Sequence, residues 1–207
     1  MVAANQARGA PTVGAVLGRA AAIVRADPRI VGVTLVGGLL AAVPLLGTLL
    51  TTVANGVAVA LASRRLSEDT PRSLDAYRLF ALVAGAVVAG VLVLLGFLLF
   101  VLPGLYVALR FSLYAPAVMA DERGPLEGLS ESWSRTAHHH FTVAGFHLVV
   151  LVPLFLLAIA VVLAMSNGQP TETVRAPTAR LVTGAVSAPL SALAASGVAV
   201  MYEGFGG

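Results

Sequence analysis

The stretch LFALVAGAVVAGVLVLLGFLLFVLPGLYVALR, residues 79–110, carries no charge until its last residue and is interrupted only by Pro103-Gly104. The apolar residues ahead of that pair would make about 36 Å of helix, against a bilayer hydrocarbon core of about 30 Å. Comparable stretches run over Ile30–Ala62, Leu79–Ala120, Phe141–Met165 and Leu181–Met201. With 58% of the residues apolar and 11% charged, a soluble fold of this size could not hide such surface from water. The chain reads as an all-α integral membrane bundle.

Two of the stretches divide. A single helix over Pro28–Ser63 would be roughly 54 Å long, a mismatch that tilt absorbs only at a cost. Two short helices folding back near Pro44–Gly47 fit better, with Asp27-Pro28 as the start signal. In the second stretch proline removes a backbone donor and glycine permits a left-handed turn, so Pro103-Gly104 is the expected hinge between a span over Leu74–Leu102 and a short one over Leu105–Ala120. Phe141–Met165 and Leu181–Met201 bring the expected total to six transmembrane helices.

Every basic side chain is arginine. With six spans and a cytoplasmic N-terminus, ten arginines from Arg8 to Arg135 face inward, and only Arg175 and Arg180 face outward. The positive-inside rule therefore favours a multi-pass protein of the cell membrane with both termini cytoplasmic. Two inner interfacial amphipathic helices are expected beside the spans. One lies in the arm of residues 1–26, with Val13, Val16, Leu17, Ala20 and Val24 on one face. The other follows Gly124-Pro125, with Leu126, Leu129, Trp133 and Ala137 as its apolar stripe. Residues 27–207 form the six-helix domain.

The chain has no cysteine, which excludes disulfides and thiolate chemistry. No G-x-S-x-G elbow, P-loop, H-E-x-x-H or dinucleotide fingerprint occurs, so no catalytic residue, cofactor or metal site is assigned and the chain is not expected to be an enzyme. The arginines flank apolar blocks and do not form a basic stripe with interleaved aromatics, which argues against nucleic acid and for membrane lipids, including anionic ones. His138, His139 and His140 point in different directions on a helix and are expected to contact head groups. Asp121, Glu122, Glu127 and Glu131 read as a salt-bridged inner segment, matched by Arg123 and Arg135.

The run LPGLYVALRFSLYAPAVMADERGPLEGLSESWSRT, residues 102–136, resembles a six-span membrane protein family of unknown function common in haloarchaea. That family is related to the membrane domain of some glycerophosphodiester phosphodiesterases. The resemblance rests on Pro103-Gly104 before Tyr106, on Arg110 with Ser112, on Glu122, on Ser132-Trp133, and on Tyr202 ending the last span. It implies a six-helix membrane domain, and no phosphodiesterase activity, which belongs to a separate soluble domain.

Arg110 is the one charge deep in an expected span, near the outer end. It is a candidate contact for an anion or lipid head group, set against snorkelling or bonding to carbonyls freed at Pro103. Glu122 and Trp133 are the inner-face positions of the family-like run. Gly184, Ala188, Ala192 and Ser196 recur every fourth residue and form a helix-packing face, for the bundle or for a homo-oligomer or partner membrane protein. The function expected is structural or accessory, with lipid or protein partners. The alternative is a small transporter or export component with its site near Arg110.

Overall fold

The structure is a computed structural model that describes residues 11–41, 47–66, 74–166 and 177–206. Those residues are almost wholly helical: α1 Val13–Ala26, α2 Arg29–Leu40, α3 Gly47–Leu66, α4 Ala76–Leu99, α5 Val101–Arg110, α6 Tyr114–Asp121, α7 Pro125–Thr136, α8 His140–Met165 and α9 Pro177–Gly204. Pro44, Arg8, Arg72 and Arg175 lie outside the described residues.

The first apolar stretch folds back on itself, as its length demanded. At one end of the α2–α3 pair, the Arg65 guanidinium donates to the buried Asp27 carboxylate at 3.0 Å. At the other, Thr51 Oγ1 donates to the Gly37 carbonyl at 3.2 Å. Asp27 also accepts the Arg29 N–H at 3.1 Å, satisfying one of the donors left open at the start of α2.

The second stretch also turns back, but at a different residue. The break falls at Phe100, whose backbone is extended, three residues before the expected Pro103-Gly104 hinge. Pro103 instead occupies the first turn of α5, where a missing N–H costs nothing. Gly104 works as a contact surface: a Cβ on Gly96 would lie 2.8 Å from the Gly104 Cα, so both positions must be bare for α4 and α5 to touch. The return limb then turns again at residues 111–113, which divide it into α5 and α6.

Helix α3 is the hub. Its buried residues are small (Ala54, Gly56, Ala58, Ala60, Ala62 and Ser63 among them), which lets α2, α4, α6 and α9 approach it closely. One core cluster joins α1, α2, α3, α6, α8 and α9 around Ile30, Leu113, Phe146 and Met201. A second joins α3, α4, α6 and α7 around Leu82, Tyr114 and Met119. By contrast α8, an almost uninterrupted apolar helix, buries only Val143, Phe146 and Val150.

Four segments are long and apolar enough to cross a bilayer: Ala76–Leu99, Val101–Asp121, His140–Met165 and Thr178–Gly204. Helix α2 has 12 residues, about 18 Å, which falls short of a full crossing over the described residues. Helices α1 and α7 both pack on the bundle. Val16, Ala20 and Ile23 of α1 are buried, close to the expected face. In α7 the buried face is Gly128, Leu129, Ser132 and Thr136, so the expected stripe is rotated: Leu126 and Trp133 lie towards its exposed side. The reason is chemical, since α7 packs on helix ends that need hydroxyl partners.

The row Gly184, Ala188, Ala192 and Ser196 is spent inside the bundle. A Cβ on Gly38 would lie 2.6 Å from the Gly184 carbonyl oxygen, and Thr34 Oγ1 donates to the Ala188 carbonyl at 3.0 Å. Ala192 and Ser196 are fully buried. Gly38→Ala should therefore lower stability by about 1–3 kcal/mol through overpacking of backbone against backbone. Gly32→Ala, on the same helix with open space at its Cβ, should be neutral or mildly stabilising. Thermal unfolding of the two variants in the same detergent checks the contrast.

Candidate functional site

The break between α5 and α6 frees backbone groups that a bilayer cannot satisfy, and α7 supplies their partners. Ser132 Oγ donates to the Arg110 carbonyl at 2.7 Å and accepts the Leu113 N–H at 3.1 Å. Thr136 Oγ1 lies 3.3 Å from the same Arg110 carbonyl. One helix turn of α7 thus bridges both sides of the break.

The Arg110 side chain is 8% exposed. Its guanidinium lies 4.4 Å from the Trp133 ring centre and 5.5 Å from that of Tyr106, and Nη1 donates to Thr136 Oγ1 at 3.4 Å. Tyr106 meets Trp133 edge to face, with centroids 5.9 Å apart. The charge neither snorkels outward nor bonds the Pro103 region. It is held against aromatic faces, whose quadrupoles attract a cation strongly where water is scarce. The expected separation of Arg110 at an outer end from Trp133 at the inner boundary is corrected: the two side chains touch. With only ten residues in α5, the return limb reaches its second break at the level where α7 ends.

A set of charges ties the ends of α6, α7 and α9 together. Arg135 donates to Glu131 at 2.6 Å, to the Tyr202 carbonyl at 2.6 Å and to Asp121 at 3.3 Å, and its guanidinium stacks 3.7 Å above the Tyr202 ring. Tyr202 Oη donates to Asp121 at 2.6 Å, and Arg123 pairs with Glu131 at 3.3 Å. Glu122, with a left-handed backbone that closes α6, pairs with the buried Arg78 of α4. The Arg78 backbone N–H in turn donates at 2.8 Å to the Asp75 carboxylate, which caps α4. The acidic segment is salt-bridged as expected, although its partners include α4 and α9 as well as its own loop.

The histidines do not converge. His139 stacks on Phe205 with centroids 4.1 Å apart, and burial, reinforced by the neighbouring His138 charge, lowers its pKa below the usual histidine range. His147 donates to the Val143 carbonyl at 2.8 Å. Among the described residues no three His, Asp or Glu side chains are grouped to hold a metal.

Sequence reasoning found Arg110, Glu122, Trp133 and Tyr202 but not the roles of Ser132, Thr136 or Asp121. Serine and threonine on a short polar helix look like ordinary surface residues until that helix is laid against a break.

These features describe an all-helical chain whose long apolar helices suggest a membrane protein, with its turns held by buried hydroxyls and cation–aromatic contacts. The chain belongs to a family of unknown function: the model described as "Domain of unknown function (DUF7847)" matches residues 73–205. That region runs from just before α4 to the end of α9. No curated protein and no solved structure matches the chain.

Ser132→Ala should cost about 1–3 kcal/mol, because it leaves a buried carbonyl and N–H short of partners. Ser134→Ala, on the exposed side of α7, should change stability by less than about 0.5 kcal/mol. A double-mutant cycle of Arg110→Met with Trp133→Leu should show coupling of about 1 kcal/mol. Thermal unfolding in detergent reads the two serine variants, the two single mutants of the cycle and their double mutant.

Proposed function

We propose that this chain is a non-catalytic, structural or accessory component of the cell membrane, crossing the bilayer six times with both termini in the cytoplasm. It assembles with lipid or a partner membrane protein through the apolar side chains of α4, α5 and α8. The observation that carries the reading is the placement of Arg110. The one charge deep in the fourth span closes a contact between α5 and α7, instead of lining a path through the bundle. Outward-facing apolar residues complement it: Leu98, Leu99, Phe100, Val101 and Leu102 at the α4–α5 tip, and Phe141, Phe155 and Leu163 along α8, are all well exposed. Such surface is stable only against acyl chains or another apolar protein.

The arginine distribution supports the six-span count: with α2 and α3 as a returning pair, Arg65 lies beside Asp27 at the start of α2, on the side of the other inner arginines. The kinship with haloarchaeal six-span proteins, and with the membrane domain joined to some phosphodiesterases, belongs to the same proposal. It supplies a helical domain and no hydrolytic chemistry. A transporter with its site at Arg110 is the weaker reading, because the guanidinium is enclosed by Tyr106, Trp133 and Thr136.

The absence of cysteine makes sidedness directly measurable. In intact cells a membrane-impermeant maleimide should label Thr178→Cys and leave Thr12→Cys and Ser134→Cys unreacted until the cells are broken. Labelling of Thr12→Cys or Ser134→Cys in intact cells would overturn the topology. Purification from native membranes in mild detergent should retain a stoichiometric membrane protein or lipid, and a chain that emerges bare would count against the accessory role.

A further inference from the structure

Along the flank of the bundle, between α2 and α3, runs an open groove of about 390 Å³. Its walls are apolar, with Val33, Val36 and Leu40 from α2 and Leu50 and Val53 from α3. Gly32 leaves the groove unfilled, since a Cβ there would meet nothing within 4 Å. The one charged residue in the described lining is Arg29, at the first turn of α2. The groove is therefore apolar along its length and cationic at one end.

That cation is available. Arg29 is exposed, and its guanidinium makes no hydrogen bond or ion pair with any described residue. The single acid among the described residues of α1–α3 and their connection is Asp27. It is already committed to Arg65, whose Nε and Nη2 donate to it at 3.1 and 3.0 Å. Against that one carboxylate the same segment carries Arg19, Arg25, Arg29, Arg64 and Arg65. The segment from α6 to α7 is built the opposite way, with Arg123 and Arg135 matched by Asp121, Glu122, Glu127 and Glu131. The excess of positive charge is thus confined to the helices that form the groove and its neighbour α1. Arginines at a membrane surface attract anionic head groups, by about 1 kcal/mol each.

Length decides what kind of apolar body fits. From Arg29 to Leu40 the groove follows 12 residues of α2, about 18 Å. That is close to the depth of one leaflet, half of a hydrocarbon core of about 30 Å. A crossing helix of a partner protein needs about 20 residues and would run past the end of the groove. An acyl chain is one leaflet deep, and its phosphate sits at the level of the basic residue. We propose that the α2–α3 groove binds one anionic phospholipid, with an acyl chain along Gly32, Val36 and Val53 and the head-group phosphate on Arg29. The proposal rests on the membrane placement proposed above, and it names a lipid site on a flank other than that of α4, α5 and α8.

The test titrates the full chain in mild detergent with phosphatidylglycerol or phosphatidylcholine of matched acyl chains, counting bound lipid by native mass spectrometry. The expected result is one phosphatidylglycerol held at least about fivefold more tightly than phosphatidylcholine. Arg29→Gln should weaken phosphatidylglycerol about fivefold, to the level of phosphatidylcholine. Gly32→Leu fills the groove and keeps every charge, and should weaken both lipids about tenfold or more, as the loss of several buried methylenes implies. Leu98→Ala, exposed at the α4 tip, should change neither. Should Gly32→Leu fail to fold, Val36→Trp, at the exposed rim of the groove, carries the comparison. Equal retention of the two lipids by the wild type, or undiminished phosphatidylglycerol binding when the groove is filled, would overturn the proposal. A cross-link from Val36→Cys to a second copy or to another protein in native membranes would overturn it too, by placing that partner in the groove. Sidedness is read separately by the maleimide labelling, so failure of the lipid site and failure of the topology are distinguishable.

Discussion

The break at residues 111–113 sets the geometry of much of this molecule. A helix interrupted inside a low-dielectric environment exposes carbonyl and N–H groups that water cannot reach, and the structure must bring donors and acceptors to them. Ser132 and Thr136 do so from α7, which obliges α7 to fold back along α6. Once α7 is there, Trp133 and Tyr106 flank the Arg110 guanidinium, and Arg135 reaches Asp121 and Tyr202. The attachment of α7 thereby fixes where α8 begins.

Packing follows a logic opposite to that of a soluble protein. The most apolar helices, α4 and α8, bury few side chains, whereas the closely packed interior around α3 consists of alanine, glycine and serine. Lipid is as apolar as leucine, so large side chains gain little by turning inward, and close approach of small residues decides which helices meet. The Gly38–Gly184 and Gly96–Gly104 contacts are the clearest cases, because a single Cβ at any of these positions would meet backbone. Where a bare position meets no neighbour, as at Gly32, the pair α2–α3 instead keeps an open apolar groove on the flank of the bundle.

Several particulars were legible in advance, each for a local reason. Length alone required the first apolar stretch to fold back, and it does so between Leu40 and Gly47. Gly184 and Ala188 lie against Gly38 and Thr34 of α2, and Glu122 pairs with Arg78 of α4 rather than with Arg123 or Arg135. The hinge was misplaced because Pro-Gly is a turn signal in water, whereas here proline serves the first turn of α5 and glycine a helix contact. The α7 stripe was misread because hydrophobic periodicity assumes that apolar residues face inward, and here the inward need was for hydroxyls.

By itself the sequence determined the environment, the all-helical class and the small-residue faces. These depend on composition and spacing along one chain, which periodicity and length express directly. Tertiary structure alone decided the partner of Arg110, the repair of the α5–α6 break and the groove that joins Arg29 and Val36 of α2 to Val53 of α3. Each of these joins residues from different helices, and their meeting depends on how helices cross and dock, which no periodicity within a single helix encodes.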